Sequence, residues 1–402
     1  MEIGLDRLPS LPRVLARMKT ARVGVLAHPA SVDHRLAHIS DVLATAGVRP
    51  ALFFGPEHGY GGEAQDMVGV NAATDARTKA PIISLYGESF NDLSPRPEHL
   101  AAIDVLLVDL ADIGSRYYTF IWTALLALRA AAKAQVPVIL LDRPNPIGGA
   151  ARHVEGATQL EGFHSFVGLE AVPIRHGLTI GEIVARFAAQ DGLPLGEDGA
   201  LQIVGVRGWD RDRLSSSWDR PFVLTSPNMP TAEAALVYPG GCLLEGTNLS
   251  DGRGTTRPFE ITGAPWLDGR SLAEGLAKTG LPGFVARPLT FRPTFHKHAG
   301  MICGGVQIHP TDPETFRPVA TYTALIALAQ RLAPFGFRFR TERYEYVDTI
   351  PAIDLLYGSD RPRKAMVAGE DPEAIAALAS APDPAWGEEM AKAAAEAGRA
   401  GV

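Results

Sequence analysis

RVGVLAHPASVDHRLAHISDVLATAGVRPALFFGPEHG, residues 22–59, reads as strand, helix, strand and polar turn. The apolar runs at 22–27 and 51–54 are too short for helices, while 38–46 carries apolar residues at helical spacing. Two strands joined through a helix lie parallel in one sheet, with the helix on its face. The alternation continues through strands predicted at 82–86, 105–110 and 138–141, and an alanine-rich helix is predicted over 118–134. The fold class is therefore α/β, with a Rossmann-like parallel sheet in the first half of the chain. Open sheets of this kind bind ligands beyond the carboxyl ends of their strands. Four of these ends open into polar turns: Gly55-Pro56-Glu57-His58-Gly59, Tyr86-Gly87-Glu88, residues 109–116, and Asp142-Arg143-Pro144-Asn145-Pro146.

Several chemistries lack their equipment. Ala27-His28-Pro29-Ala30-Ser31 follows the first strand, so the glycine fingerprint of a dinucleotide site is missing and no cofactor is expected. Gly252-Arg253-Gly254-Thr255-Thr256 lacks the spacing and lysine of a phosphate loop. Neither a G-x-S-x-G elbow nor an H-E-x-x-H pair occurs, and His296 and His298 read as solvated loop residues, so no metal is expected. A net charge of −7 offers no basic field for nucleic acid. Cys242 and Cys303 are too few for a disulfide framework and read as buried thiols. The first twenty residues carry charges throughout, unlike a secretory signal, which favours the cytoplasm, and no apolar run is long enough to span a membrane.

The length, 402 residues, suits two domains. Between 150 and 225 the pattern loosens, apart from a helix predicted at 179–189, where Thr179 and Glu182 have capping-box spacing. Ser226-Pro227-Asn228-Met229-Pro230 is a rigid stretch that marks a boundary, dividing a Rossmann-like catalytic domain, 1–228, from a smaller α+β domain, 229–402. The latter has a Gly/Thr-rich loop at 245–259, strands predicted at 285–291 and 301–309, a helix at 322–332 and a terminal helix at 386–399.

Carboxylates, arginines and aromatics at strand ends are the equipment of a glycosidase, in which one carboxylic acid protonates the leaving oxygen and a second group acts at the anomeric carbon. Glu57 follows an apolar strand directly, and partial desolvation there would raise its pKa as a general acid requires. A glutamate in that position also serves as a loop cap. Asp109, Asp112 and Arg116 read equally as a structural clamp, and the two prolines of 142–146 as a rigid turn or a preorganised site loop.

Together these segments resemble the NamZ family of exo-β-N-acetylmuramidases, formerly known as DUF1343. The resemblance rests on residues 54–59, Ser84-Leu85-Tyr86-Gly87, residues 109–119, 141–146, 175–182, 226–231, Glu245-Gly246-Thr247-Asn248, Gly252–Thr256 with Pro258-Phe259, and Gly263-Ala264-Pro265-Trp266. It implies a cleft between the two domains and hydrolysis of terminal β-1,4-linked N-acetylmuramic acid from peptidoglycan fragments, in cell-wall turnover and recycling. It also makes Glu57 the leading catalytic residue. On this basis His58 and Tyr86 are expected to orient Glu57. Glu63, Asp112 and Glu245 are candidates for the second carboxylate, with the substrate's own acetamido group an alternative. Arg116, Arg143 and Arg253 are candidates for the lactyl carboxylate, since a guanidinium fork binds a carboxylate bidentately. Tyr117, Asn145, His176, Asn228 and Asn248 complete the expected substrate contacts. Two departures stand out: Gly61-Gly62-Glu63 replaces an arginine common after Tyr60, and Ala111 replaces an amide. They leave room for a non-catalytic muropeptide binder as an alternative, with an esterase or amidase disfavoured by the missing nucleophile elbow and metal cluster.

Overall fold

A computed structural model describes residues 1–65 and 73–402. Seven strands form the larger sheet: β1 (Val23–Ala27), β2 (Pro50–Gly55), β3 (Ala73–Thr74), β4 (Pro81–Ser84), β5 (Val105–Asp109), β6 (Val138–Leu141) and β7 (Leu201–Val204). Their order is β3-β4-β2-β1-β5-β6-β7, parallel throughout except for the short edge strand β3. The chain leaves β1 towards β2 on one side and returns to β5 on the other, so the order reverses at β1. That reversal is where a doubly wound sheet opens a crevice at its carboxyl edge.

Alternation along the strands explains why both sheet faces are apolar. Val25, Phe53, Leu107 and Ile139 point into one buried cluster, and Leu26, Phe54, Leu106 and Leu140 into another. A parallel strand covered on both sides must be apolar at every position, which is why these runs read as continuous rather than alternating. The first cluster is closed by residues of the amino-terminal segment, including Ile3, Leu5 and Leu8, and by the helix Ile39–Thr45. The second is closed by the helices Phe120–Lys133 and Ile180–Gln190 and continues without a break into the second half of the chain.

There, β8 (Ile261–Ala264), β9 (Phe284–Phe291) and β10 (Cys303–Pro310) form an antiparallel sheet in the order β8-β10-β9. It packs against the helix Gly269–Lys278, which in turn packs on the helix Pro318–Leu332. The predicted strands and helices recur with small shifts at their ends. Elements not foreseen in the sequence include β3, β7, β8 and the helices Pro12–Thr20, Ala232–Gly241, Gly269–Lys278, Arg361–Ala368 and Pro372–Ser380. β7 has only four residues, among them Gln202, and β8 contains Thr262 and Gly263, so neither produces a strong apolar run.

The terminal helix Trp386–Ala400 is separated in sequence from the larger sheet yet docks against it. Trp386 is buried and its indole donates to the His176 carbonyl, Arg186 pairs with Glu389, and the Val402 amide donates to Ile203 at the end of the sheet. Among the described residues no helix is long and apolar enough to cross a membrane.

Candidate active site

β2 ends at Gly55 because the chain must fold back over it. A Cβ there would lie 2.3 Å from the Tyr60 amide nitrogen, closer than any side chain tolerates. The next residues make the turn through His58 and Gly59, at φ +69° and +84°. A non-glycine residue is rare in this left-handed region and costs about 1–2 kcal/mol, so the imidazole is held where it is by its surroundings. One of its contacts is between Nδ1 and the Ala64 carbonyl, at 2.9 Å.

The turn delivers Glu57 into a cavity between the two halves of the chain. Glu57 is 7% exposed and accepts a 2.7 Å hydrogen bond from the Thr119 hydroxyl at the start of the helix Phe120–Lys133. Tyr117 and Tyr118 line the same wall, with hydroxyls donating to the Pro239 carbonyl and to Thr225. Asn228 lines the rim and donates to Gln65.

The opposite wall comes from the second half. Arg253 binds Glu245 at 2.7 Å and Asp251 at 2.9 Å, and Lys297 lies 3.4 Å from Asp251. The Tyr344 hydroxyl donates to the other Glu245 oxygen at 2.7 Å. Burial alone would raise both carboxyls, but Arg253 together with Tyr344 at Glu245, and with Lys297 and His296 at Asp251, outweighs it. Both are held below the usual carboxylate range. Glu245 is therefore an ion-pair partner with both oxygens engaged.

Beside it stands Glu345, which the sequence reading did not single out. It is 6% exposed, and the Tyr86 hydroxyl lies 3.3 and 3.4 Å from its two oxygens. Burial pushes the Tyr86 phenol up, and the charges of Glu57 and Glu345 push it further, so Tyr86 remains a neutral donor. Glu345 and Tyr346 are consecutive non-glycine residues at φ +44° and +69°. The segment Tyr344-Glu345-Tyr346, a carboxylate between two aromatics, is the signal that could have revealed it; it lies beyond the motifs that carry the resemblance.

Other expected residues stand outside this cavity. Arg116 is fully buried and donates to the Ala157, Val172 and Leu356 carbonyls, so its fork is spent on the backbone. Arg143, not Arg116, forms the clamp on Asp109, at 2.5 and 2.8 Å. Arg143 and Asp112 line a neighbouring crevice beside Trp218 and Phe222, and Asp112 accepts from the Gly114 amide. Asn145 bridges Leu178 and Ile147, His176 accepts from the Leu178 amide, and Asn248 ties down Gly336 and Arg338. Glu63 is exposed on the surface. Arg116, Asn145, His176 and Asn248 share one reason: backbone groups around them need partners, and these side chains supply them. His298 bonds the Asn248 carbonyl and His296 faces Asp251, and among the described residues no group of three or more histidine, cysteine or acidic side chains could hold a metal.

A doubly wound sheet joined to a small antiparallel domain, with buried carboxylates from each half facing one cavity, defines a two-part α/β protein of glycosidase type. The chain belongs to the exo-β-N-acetylmuramidase NamZ family: its amino-terminal family model matches residues 23–233 and its carboxyl-terminal model residues 236–394. It is 40% identical over 340 residues to the peptidoglycan β-N-acetylmuramidase NamZ of Bacillus subtilis, covering 84% of this chain and 80% of that protein. Two crystal structures of DUF1343 family proteins from Bacteroides fragilis share the fold. One has a TM-score of 0.82 at 29% identity, over 99% of this chain and 97% of its own, and the other 0.73 at 23%, over 100% and 98%.

Proposed function

We propose that this protein is an exo-β-N-acetylmuramidase that removes terminal N-acetylmuramic acid from peptidoglycan fragments, with Glu57 as the general acid. The observation that carries the reading is that Glu57, on the β2 turn, and Glu345, hydrogen-bonded by Tyr86, line one cavity between the two halves. In the reaction the bond between the anomeric carbon and the bridging oxygen breaks. Glu57 gives its proton to that oxygen, water bonds to the anomeric carbon, and the proton that the water gives up restores Glu57.

Glu345 is the second carboxylate we assign, since it lines the cavity with Glu57, whereas Glu63 and Asp112 stand outside it and Glu245 is committed to Arg253 and Tyr344. Arg253, the cavity's own arginine among the three considered, is assigned to the lactyl carboxylate. Its fork is already oriented by Glu245 and Asp251, as a preorganised anion contact requires. His58 and Tyr86 position the carboxylates. We place the reaction on imported fragments in the cytoplasm. Fractionation of cells expressing the protein tests that location.

The deciding experiment is hydrolysis of a chromogenic β-N-acetylmuramide by the wild type beside Glu57→Gln. The amide keeps the shape and removes the proton, so turnover is expected to fall about 10²–10⁴-fold with binding retained. A dinitrophenyl leaving group needs little protonation and should restore much of the variant's rate. Equal impairment on good and poor leaving groups would move Glu57 to the anomeric carbon. Saturable binding without release by the wild type would make the protein a binder.

A further inference from the structure

The cavity has a neighbour. Tyr86, Gly87 and Glu88 on one side, and Arg343, Glu345 and Tyr346 on the other, enclose a solvent-open groove of about 420 Å³, within the range of small-molecule sites, ~300–1,000 Å³. Glu345 lines both spaces, so the groove begins where the proposed reacting bond lies. An exo-acting enzyme encloses one end of its substrate and must let the other leave through an opening beside that bond.

The groove's rings are exposed in a way the fold does not require. Tyr346, in the groove wall, is only partly buried, and beside it, next to the lining itself, Phe90 is 43% exposed with its ring 6.3 Å from that of Tyr346 and perpendicular to it. Tyr346 is fixed by its hydroxyl, which donates to the Gly87 carbonyl at 2.9 Å and so ties the two sides together. Arg343 and Glu88 stand exposed at the margins, with the Arg343 guanidinium 5.8 Å from the Tyr346 ring centre. Apolar ring surface edged with hydrogen-bonding groups suits a pyranose, whose C–H face is apolar and whose rim is hydroxylated. The backbone adds a second, independent indication. Glu345 and Tyr346 both occupy the left-handed region, where glycine or asparagine would relieve about 1–2 kcal/mol per residue, so the strain is retained for the side chains it presents.

We propose that this groove is the subsite for the leaving sugar, with Tyr346 and Phe90 as its stacking platform and Arg343 and Glu88 as its polar rim. The inference rests on the hydrolase reading above and adds the residues that select what the muramyl unit is attached to.

The test compares two substrates that share the muramyl unit: the β-1,4-linked disaccharide with N-acetylglucosamine, and β-muramyl azide, whose leaving group has no ring to bind. In Phe90→Ala and Tyr346→Ala, the ratio of kcat/KM on the disaccharide to that on the azide should fall about three- to tenfold, chiefly through KM on the disaccharide. Competitive inhibition by free N-acetylglucosamine should weaken in parallel. An unchanged ratio, or equal loss on both substrates, would overturn the subsite. Should the wild type cleave neither substrate, the hydrolase reading fails by itself, and calorimetric binding of the disaccharide to wild type and Phe90→Ala decides the subsite. Weaker binding in the variant supports it and equal binding overturns it. Phe90 is exposed on a short helical turn, so its replacement leaves the fold intact.

Discussion

At the scale of single residues, the site is governed by which polar atoms already have partners. Arg116 and Arg143 are both buried, one serving carbonyls and the other Asp109, and neither lines the cavity that holds Glu57. Tyr86 differs because its partner is a carboxylate in the cavity wall, and burial between two acids keeps its proton on. Tyr86→Phe removes that donor while preserving the ring. A hydrogen bond to a charged group contributes about 1.5–3 kcal/mol, so kcat should fall on the order of tenfold to a hundredfold with little change in thermal stability. Steady-state kinetics on the chromogenic substrate checks this; an unaltered kcat would remove Tyr86 from the positioning of Glu345.

At the scale of elements, caps and turns fix the strand ends that carry these residues. The helix Ile180–Gln190 opens with the capping box foreseen in the sequence: the Thr179 hydroxyl accepts from the Glu182 amide, and Glu182 accepts from the Thr179 amide. The tertiary structure adds a third link, since Thr179 also donates to Asp142 at 2.8 Å, and so ties the cap to the end of β6. Thr179→Ala therefore loses a cap and a partner of a buried carboxylate together. The expected cost is about 1–3 kcal/mol, measured as a lower unfolding midpoint in urea, with KM unaffected because the cap lies outside the cavity. Thr179→Ser, which keeps the hydroxyl, should recover most of it.

For the whole molecule, the seam between the halves is both the proposed site and a source of pH dependence. Glu155 is buried in this seam, accepting from the Ala320 amide in the first turn of the helix Pro318–Leu332. Burial pushes its carboxyl up to about 7, against the opposing pull of Arg175. A carboxyl raised in the folded state binds its proton more tightly there than in the unfolded chain. Its stabilising contribution is complete below the unfolded value near 4.5 and is lost as pH rises through about 7. Asp142, also raised to about 7 by burial, acts in the same direction. Thermal midpoints should therefore decline between pH 5 and about 8, and Glu155→Gln, which retains the acceptor for Ala320, should flatten part of that decline. Parallel slopes in wild type and variant would show that Glu155 does not titrate in this window.

The local pattern of the sequence was enough to specify the parallel sheet, because strands covered on both faces must be apolar at every position, as at 105–109 and 138–141. It also marked Glu57, since a carboxylate directly after such a strand has to emerge at the carboxyl edge where ligands bind. Periodicity and spacing are properties of neighbouring residues, and they survive without knowledge of the rest of the chain. Which polar side chains would be consumed by the backbone is not such a property. Asn145 and Asn248 sit in polar loops as Glu57 does, and only the assembled structure reveals that the distant carbonyls of Leu178 and Gly336 claim them. Glu345 escaped for the complementary reason. It lies more than 280 residues from Glu57 in a turn without strand or helix periodicity, and reaches the cavity only because the second half packs across the edge of the first sheet. Proximity across such a seam is set by the packing of whole layers, and that is decided by the tertiary structure alone.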